Sequence, residues 1–256
     1  MLAQLVNLNV FAFMLIFARV GTALSLIPGF GSMQVPVRIR LAFALAVTFV
    51  LTPVLLPLLP AAPDAVSVLV LLIASEALIG AFLGLVPRVL VAAVQTAGTM
   101  IAMLSAMANA FINDPVADQQ SSIISSFLGT TAITLVFVTD LHHLLLIAVV
   151  DSYTLFTPFQ GPEIGDMADY MAHRVADSFR IGIQITAPII VSGVAYYIGL
   201  GIMGRLMPQL PVFFFGMPIQ IALQMYILMT AFSAMMLVFL RYFEDAMFSF
   251  TQPLGG

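Results

Sequence analysis

The sequence predicts an all-α, polytopic, hydrophobic membrane-complex subunit built from broken helices. Three observations predict it. Of 256 residues, 62% are apolar and only 8% charged, against roughly 25% charged in an ordinary soluble domain, and the mean hydropathy is +1.12. The apolar residues gather into runs close to the ~20 residues that carry a helix across a ~30 Å hydrocarbon layer. Proline and glycine clusters punctuate those runs.

In chain order the runs are Leu5–Ile27, Leu41–Leu59, Val66–Val86, Val89–Phe111, Ile123–Val150, Ile181–Met203 and Val212–Leu240. The first lacks the basic n-region of a signal peptide and is too long for its apolar core, so an uncleaved first helix is expected. Pro28-Gly29-Phe30-Gly31 closes it, and Pro57, Pro60 and Pro63 follow the second. Pro87-Arg88 is expected to divide the third from the fourth. Asp140, His142 and His143 interrupt the fifth, which reads as one span or two shorter segments. Pro208 and Pro211 precede the last. The stretch Asp151–Arg180 is polar, with Ile164, Met167, Met171 and Val175 at helical spacing, and predicts a short amphipathic helix started by Gly161-Pro162-Glu163. The chain reads as one domain, 1–256, with an internal hinge expected at 151–180.

Charge and cysteine usage exclude several function classes. Eight arginines and no lysine face twelve acidic residues, for a formal charge of −4. That balance argues against nucleic acid, whose phosphates call for a basic face, and offers no polybasic segment for anionic lipid. The absence of cysteine removes disulfides, thiolate metal sites and a cysteine nucleophile. Arg38, Arg40, Arg88, Arg174 and Arg180 fall in alternate loops, which fits an outside N-terminus and inside C-terminus, with Arg205 as an exception. No Ser-His-Asp elbow, phosphate loop or zinc motif is present, so no catalytic residue, cofactor or enzyme activity is expected.

A few residues stand out against the apolar background. Glu76 lies mid-run, where a carboxylate costs a few kcal/mol unless paired or hydrated. It reads either as an ion-coupling acid or as half of an inter-helix pair with Arg19. One acid makes a thin proton relay, so the pair is the expected reading. Gly80-x-x-x-Gly84 marks a small-residue face that lets helices approach closely, and Gly193, Gly199, Gly201 and Gly204 mark the sixth run similarly. His142-His143 are adjacent, hence about 100° apart on a helix; without His-x-x-x-His spacing they predict punctuation at a helix end rather than a metal site. Met100, Met103 and Met107 share one helix face and suit either core packing or a deformable gasket. Phe111, Ile112, Asn113, Asp114 and Pro115 break the helix with turn chemistry. The segment is read as an ordinary outside turn or as a re-entrant plug. Asp166 and Asp169 are expected on a solvated face.

Gly204-Arg205-Leu206-Met207-Pro208-Gln209-Leu210-Pro211-Val212-Phe213 resembles the Arg-x-x-Pro-Gln-x-Asn-Val-Phe signature of the R component of the flagellar type III export gate and its injectisome counterpart. Gly216-Met217-Pro218-Ile219 continues the family pattern. Ala18-Arg19-Val20-Gly21, Pro28-Gly29-Phe30-Gly31, Val35-Pro36, Glu76-x-x-x-Gly80-x-x-x-Gly84 and Asp114-Pro115 match in order. Two departures are Pro211 in place of the asparagine, which also removes a backbone donor, and Gln220 where a basic residue is usual.

The resemblance implies a subunit that completes a closed helical pore with the P and Q components. The B component joins the apparatus, and unfolded flagellar proteins pass through in transit. It implies the bacterial inner membrane and the flagellar basal body as location, lipid contact, and no nucleic acid. Phe111, Ile112, Asn113, Asp114 and Pro115 would form the pore plug, with Met103 and Met107 as secondary lining. Glu76, Gly80, Gly84, Arg205, Pro208, Gln209, Val212 and Phe213 would serve subunit packing. Physics alone also allows an ion-coupled secondary transporter using Glu76, although the paired broken helices of two related halves are not detected. A scaffold without a pore differs only in whether Met100–Asp118 faces water.

Overall fold

The computed structural model describes residues 2–32, 34–107, 111–114, 119–158, 161, 163–209 and 211–251. Seven α-helices are described: α1 Leu2–Leu26, α2 Val37–Leu55, α3 Val66–Leu104, α4 Ile123–Val138, α5 Leu141–Leu155, α6 Ile164–Leu206 and α7 Val212–Thr251. A short 3₁₀ turn, Leu56–Leu58, follows α2. Strands β1 Phe111–Asp114 and β2 Gln119–Ser122 form an antiparallel hairpin between α3 and α4. The chain is an all-α polytopic membrane protein with this one small hairpin. Among the described residues four helices are long and apolar enough to cross a membrane, or five if the bent pair α4 and α5 counts as one span.

The expected division at Pro87-Arg88 is absent. The third and fourth runs form one continuous helix, α3, with Pro87 inside it. Proline removes one backbone donor and strains the preceding turn, but Leu83, Val86 and Leu90 around it are buried. Ending the helix there would strand several backbone groups among apolar neighbours instead of one. The fourth run also stops at Leu104, short of Phe111. The polar stretch is likewise no separate short helix: its residues from Ile164 form the first turns of α6, which continues unbroken to Leu206 through Pro188. Met167 and Ser178 are buried along these turns while Asp166 and Asp169 are exposed. The fifth run is two helices, bent by 75° at Thr139-Asp140, with Asp140 at φ 60.

Helices α3, α6 and α7 have 39, 43 and 40 residues. At 1.5 Å per residue each is about 60 Å long, roughly twice the hydrocarbon thickness. Keeping such a rod within the layer needs a tilt of about 60°, beyond the 0–40° of membrane helices.

The chain packs as two compact units. The first comprises residues 1–89, 136–175 and 243–256, the second 90–135 and 176–242. In the first, Leu15, Ile16, Ala23 and Leu24 of α1 are buried, with Ile79 and Leu83 of α3 and Tyr153 of α5. Glycine sets the spacing here. A Cβ at Gly80 would overlap the Arg19 carbonyl and the Thr22 hydroxyl, and one at Gly84 would stand 2.7 Å from the Ala23 carbonyl oxygen. The backbones of α1 and α3 touch along this face. In the second unit the buried residues include Val94, Ala97 and Ile101 of α3, Leu128 and Ala132 of α4, and Ile185 and Ile189 of α6. The glycines of the sixth run do not behave as the sequence suggests. A Cβ at Gly199, Gly201 or Gly204 would meet nothing within 4 Å among the described residues, whereas one at Gly193 would meet the Gln224 amide at 3.2 Å and one at Gly182 the Ala93 carbonyl at 3.3 Å. At Gly199, Gly201 and Gly204 small size is not required by contacts among the described residues.

Candidate functional site

Two buried polar networks stand out, one in each unit. In the first, Arg19 is fully buried and Glu76 is 1% exposed. Nε of Arg19 donates to Oε2 of Glu76 at 2.6 Å, and Nη2 donates to Oε1 at 3.0 Å. The guanidinium also donates to the Ser152 hydroxyl at 3.1 Å and the Phe156 carbonyl at 3.0 Å. Its flat face lies 3.9 Å from the Tyr153 ring centre, a cation–π contact. One arginine thus joins α1, α3 and α5, using the planar fork that lysine lacks. The sequence pointed to the Arg19–Glu76 pair but not to Ser152 or Tyr153. An Asp-Ser-Tyr cluster late in an apolar helix was the available signal.

In the second unit polar contacts fix the two helix ends that flank the hairpin. At its α4 end, the Ser122 hydroxyl accepts from the Ser125 amide at 3.1 Å, a side-chain cap on a helix start. The Ser125 hydroxyl donates to the Gln95 carbonyl at 2.8 Å. A Cβ at Gly98 would press on the Ser125 backbone, so α4 begins directly against α3. At the α3 end, the last turn closes with the Met107 amide donating to the Ala102 carbonyl at 3.0 Å and Ala106 at φ 56. Glycine ordinarily takes that left-handed position. The Leu104 carbonyl, one of the last four that a helix leaves unpaired, accepts from Nε2 of Gln220 at 2.7 Å. The same amide nitrogen donates to the Tyr197 hydroxyl at 3.0 Å. One turn on, the Ser192 hydroxyl donates to Oε1 of Gln224 at 3.1 Å, and Tyr196 donates to the Gly216 carbonyl at 2.6 Å. Gln220 and Gln224 are 2% and 0% exposed. Sequence reasoning registered Gln220 only as a departure from a pattern. Two glutamines four residues apart in an apolar helix were the signal for this network.

Phe111, Ile112, Asn113 and Asp114 form strand β1, paired with Ser122, Ser121, Gln120 and Gln119 respectively. Their side chains, and Pro115 altogether, lie outside the described residues. The turn expected there is thus framed by a strand pair that turn chemistry alone did not predict. Strands of four residues have little stability by themselves, and Ser122 at the end of β2 ties the hairpin to the start of α4. Met103 is 57% exposed and Met107 half-buried. Arg205, Pro208 and Gln209 are exposed at the turn between α6 and α7, while Val212 is buried. The Phe213 side chain lies outside the described residues. Around this turn Leu206, Met207, Phe214, Phe215, Met217 and Ile219 are exposed by 48–76%.

The chain matches the family of bacterial export proteins, family 1, over residues 10–246. It belongs to that family. It is 33% identical over 243 residues to the flagellar biosynthetic protein FliR of Caulobacter vibrioides, covering 95% of this chain and 97% of that protein. Identity to the FliR protein of Bacillus subtilis is 34% over 240 residues, 91% of this chain and 90% of that one. Yop proteins translocation protein T of Yersinia pestis is 27% identical over 157 residues, 60% of each chain. The signature around Arg205–Phe213 thus belongs to a chain of the flagellar and type III export kind, with the membrane helices that kind implies.

Proposed function

We propose that this chain is a non-enzymatic subunit of the flagellar type III export gate in the bacterial inner membrane, at the flagellar basal body. It completes a hetero-oligomeric helical pore with the P and Q components and adjoins the B component. Unfolded flagellar proteins pass through the pore. The observation that carries this reading is the exposed apolar collar around the α6–α7 turn, on a chain of the export family. Contiguous exposed apolar surface marks an interface with protein or lipid. Arg205, Pro208 and Gln209 sit within that collar, where contact with another subunit suits the family signature. Helices about twice the bilayer thickness fit a subunit that rises beyond the hydrocarbon into an assembly.

The hairpin segment is assigned as the pore plug, with Phe111, Ile112, Asn113, Asp114 and Pro115 as plug residues and Met103 and Met107 as lining. A coupling role for Glu76 has no observation in its favour. Both of its oxygens are held by one buried guanidinium, so proton exchange would first require breaking that pair. The chain acts as one subunit, and the stretch 151–180 remains the place assigned to its hinge.

Native mass spectrometry of the detergent-extracted particle tests the assembly. Co-expression with the P and Q components should give a defined hetero-oligomer with one copy of this chain. A monomer or homodimer under all conditions sinks the reading. In the assembled complex, deleting Asn113–Gln119 should make the membrane leaky to small ions. Unchanged permeability removes the plug assignment and leaves the assembly intact as a conclusion.

A further inference from the structure

Thr139 and Asp140 form the break between α4 and α5, and two histidines follow within the first turn of α5. The angle of about 100° between neighbouring helix positions argues against shared chelation when only spacing is counted. The fold adds what spacing omits. Asp140 adopts φ 60, a left-handed conformation that aspartate visits more readily than most residues. Its carboxylate makes no capping bond at the start of α5. Instead Oδ1 lies 3.7 Å from Nδ1 of His143, too long for a hydrogen bond. Phe137 stacks on His142 at 5.0 Å with an interplanar angle of 19°. The two imidazole centres are only 4.1 Å apart. One donor atom from each of Asp140, His142 and His143 falls within 4.8 Å of the others. Nδ1 of His142 is buried with no hydrogen-bond partner, a condition that calls for an explanation.

We propose that Asp140, His142 and His143 bind a divalent transition-metal ion, with zinc the best match and water completing the shell. Two imidazoles and one carboxylate are the donor set of open zinc sites. Magnesium and calcium prefer all-oxygen shells. Tetrahedral ligand atoms stand about 3.3 Å apart when bonds are about 2.0–2.1 Å, so the present donors close by about 1.5 Å on binding. Asp140 and His143 are 78% and 63% exposed and rotate freely to do so, while the Phe137 stack fixes His142. The bound ion locks the left-handed turn at Asp140 to the first turn of α5. Its consequence is a stiffer bend at this corner. The site uses none of the residues on which the export-gate reading rests, so it holds or fails independently of that reading.

The full chain in detergent, carrying no polyhistidine tag, is stripped with chelator and titrated with zinc chloride. One equivalent of zinc should bind and raise the thermal midpoint. Asp140→Asn, His142→Gln and His143→Gln should each weaken binding by about 10-fold or more and abolish the zinc-dependent rise. His173→Gln, on α6, should leave binding unchanged. Cobalt loaded in place of zinc should give the intense visible bands of tetrahedral coordination, lost in His142→Gln. Zinc uptake unaffected by all three substitutions, or absent from the folded parent, overturns the proposal.

Discussion

Arg19 grips both carboxylate oxygens of Glu76 across 57 positions of sequence, at 2.6 and 3.0 Å, with each side chain at most 1% exposed. Removing one partner of such a pair leaves a buried charge unmatched, which costs about 3–5 kcal/mol. Arg19→Met and Glu76→Leu are each expected to lower the thermal midpoint and the steady-state amount of chain in the membrane. The double variant should recover most of the loss, because neither charge remains. Recovery stays incomplete, since the Phe156 carbonyl and Ser152 hydroxyl lose their donor, at about 1 kcal/mol for each such group. Additive losses in the double variant would show that the pair does not act as a unit.

The contact between α1 and α3 gives a ranking of glycines. Gly80→Ala places a methyl group on the Arg19 carbonyl and Thr22 hydroxyl, and Gly84→Ala places one against Ala23 and Leu26. Both push the helices apart, and overpacking of this kind costs about 1–3 kcal/mol. Gly80→Ala is the worse of the two, because its overlaps with the Thr22 hydroxyl and the Arg19 carbonyl are the deeper, and the backbone it presses on also positions Arg19. Gly199→Ala and Gly201→Ala meet open space and should leave the chain alone unchanged or slightly steadier, since alanine favours helix. Thermal unfolding of the isolated chain in detergent measures the order. A subunit interface at Gly199 or Gly201 would reveal itself as a defect in assembly only.

These results locate what the sequence made legible. The helical character, the Arg19–Glu76 pair and the Gly80–Gly84 face were readable because burial in an apolar run admits few ways to satisfy a charge or to use glycine. Pro87 misled, because the loss of one hydrogen bond is local whereas the packing of Leu83, Val86 and Leu90 is not. Gly199, Gly201 and Gly204 misled in the opposite direction: the same residue type that permits close approach does not require it. The strand pairing of Phe111–Asp114 with Gln119–Ser122 was invisible. Asn-Asp-Pro chemistry announces a turn, but nothing in Gln119-Gln120-Ser121-Ser122 has the β-branched character that marks a strand. The Gln220–Leu104 bond joins residues 116 positions apart, and only the fold brings a glutamine to the end of α3.

That bond carries the last expectation. Nε2 of Gln220 is the side-chain donor at the Leu104 carbonyl, and Ala106 just beyond holds a left-handed backbone. Gln220→Leu keeps the volume but leaves the half-buried carbonyl without its side-chain donor, a loss of about 1 kcal/mol. The Tyr197 hydroxyl loses its donor as well. The effect should concentrate at the end of α3, so amide hydrogen exchange over 100–107 should quicken while exchange along α1 stays as it was. Ala106→Gly relieves the left-handed strain and should offset part of that change when combined with Gln220→Leu. Faster exchange spread evenly over the chain would mean that Gln220 supports general packing and not the α3 terminus from which the hairpin departs.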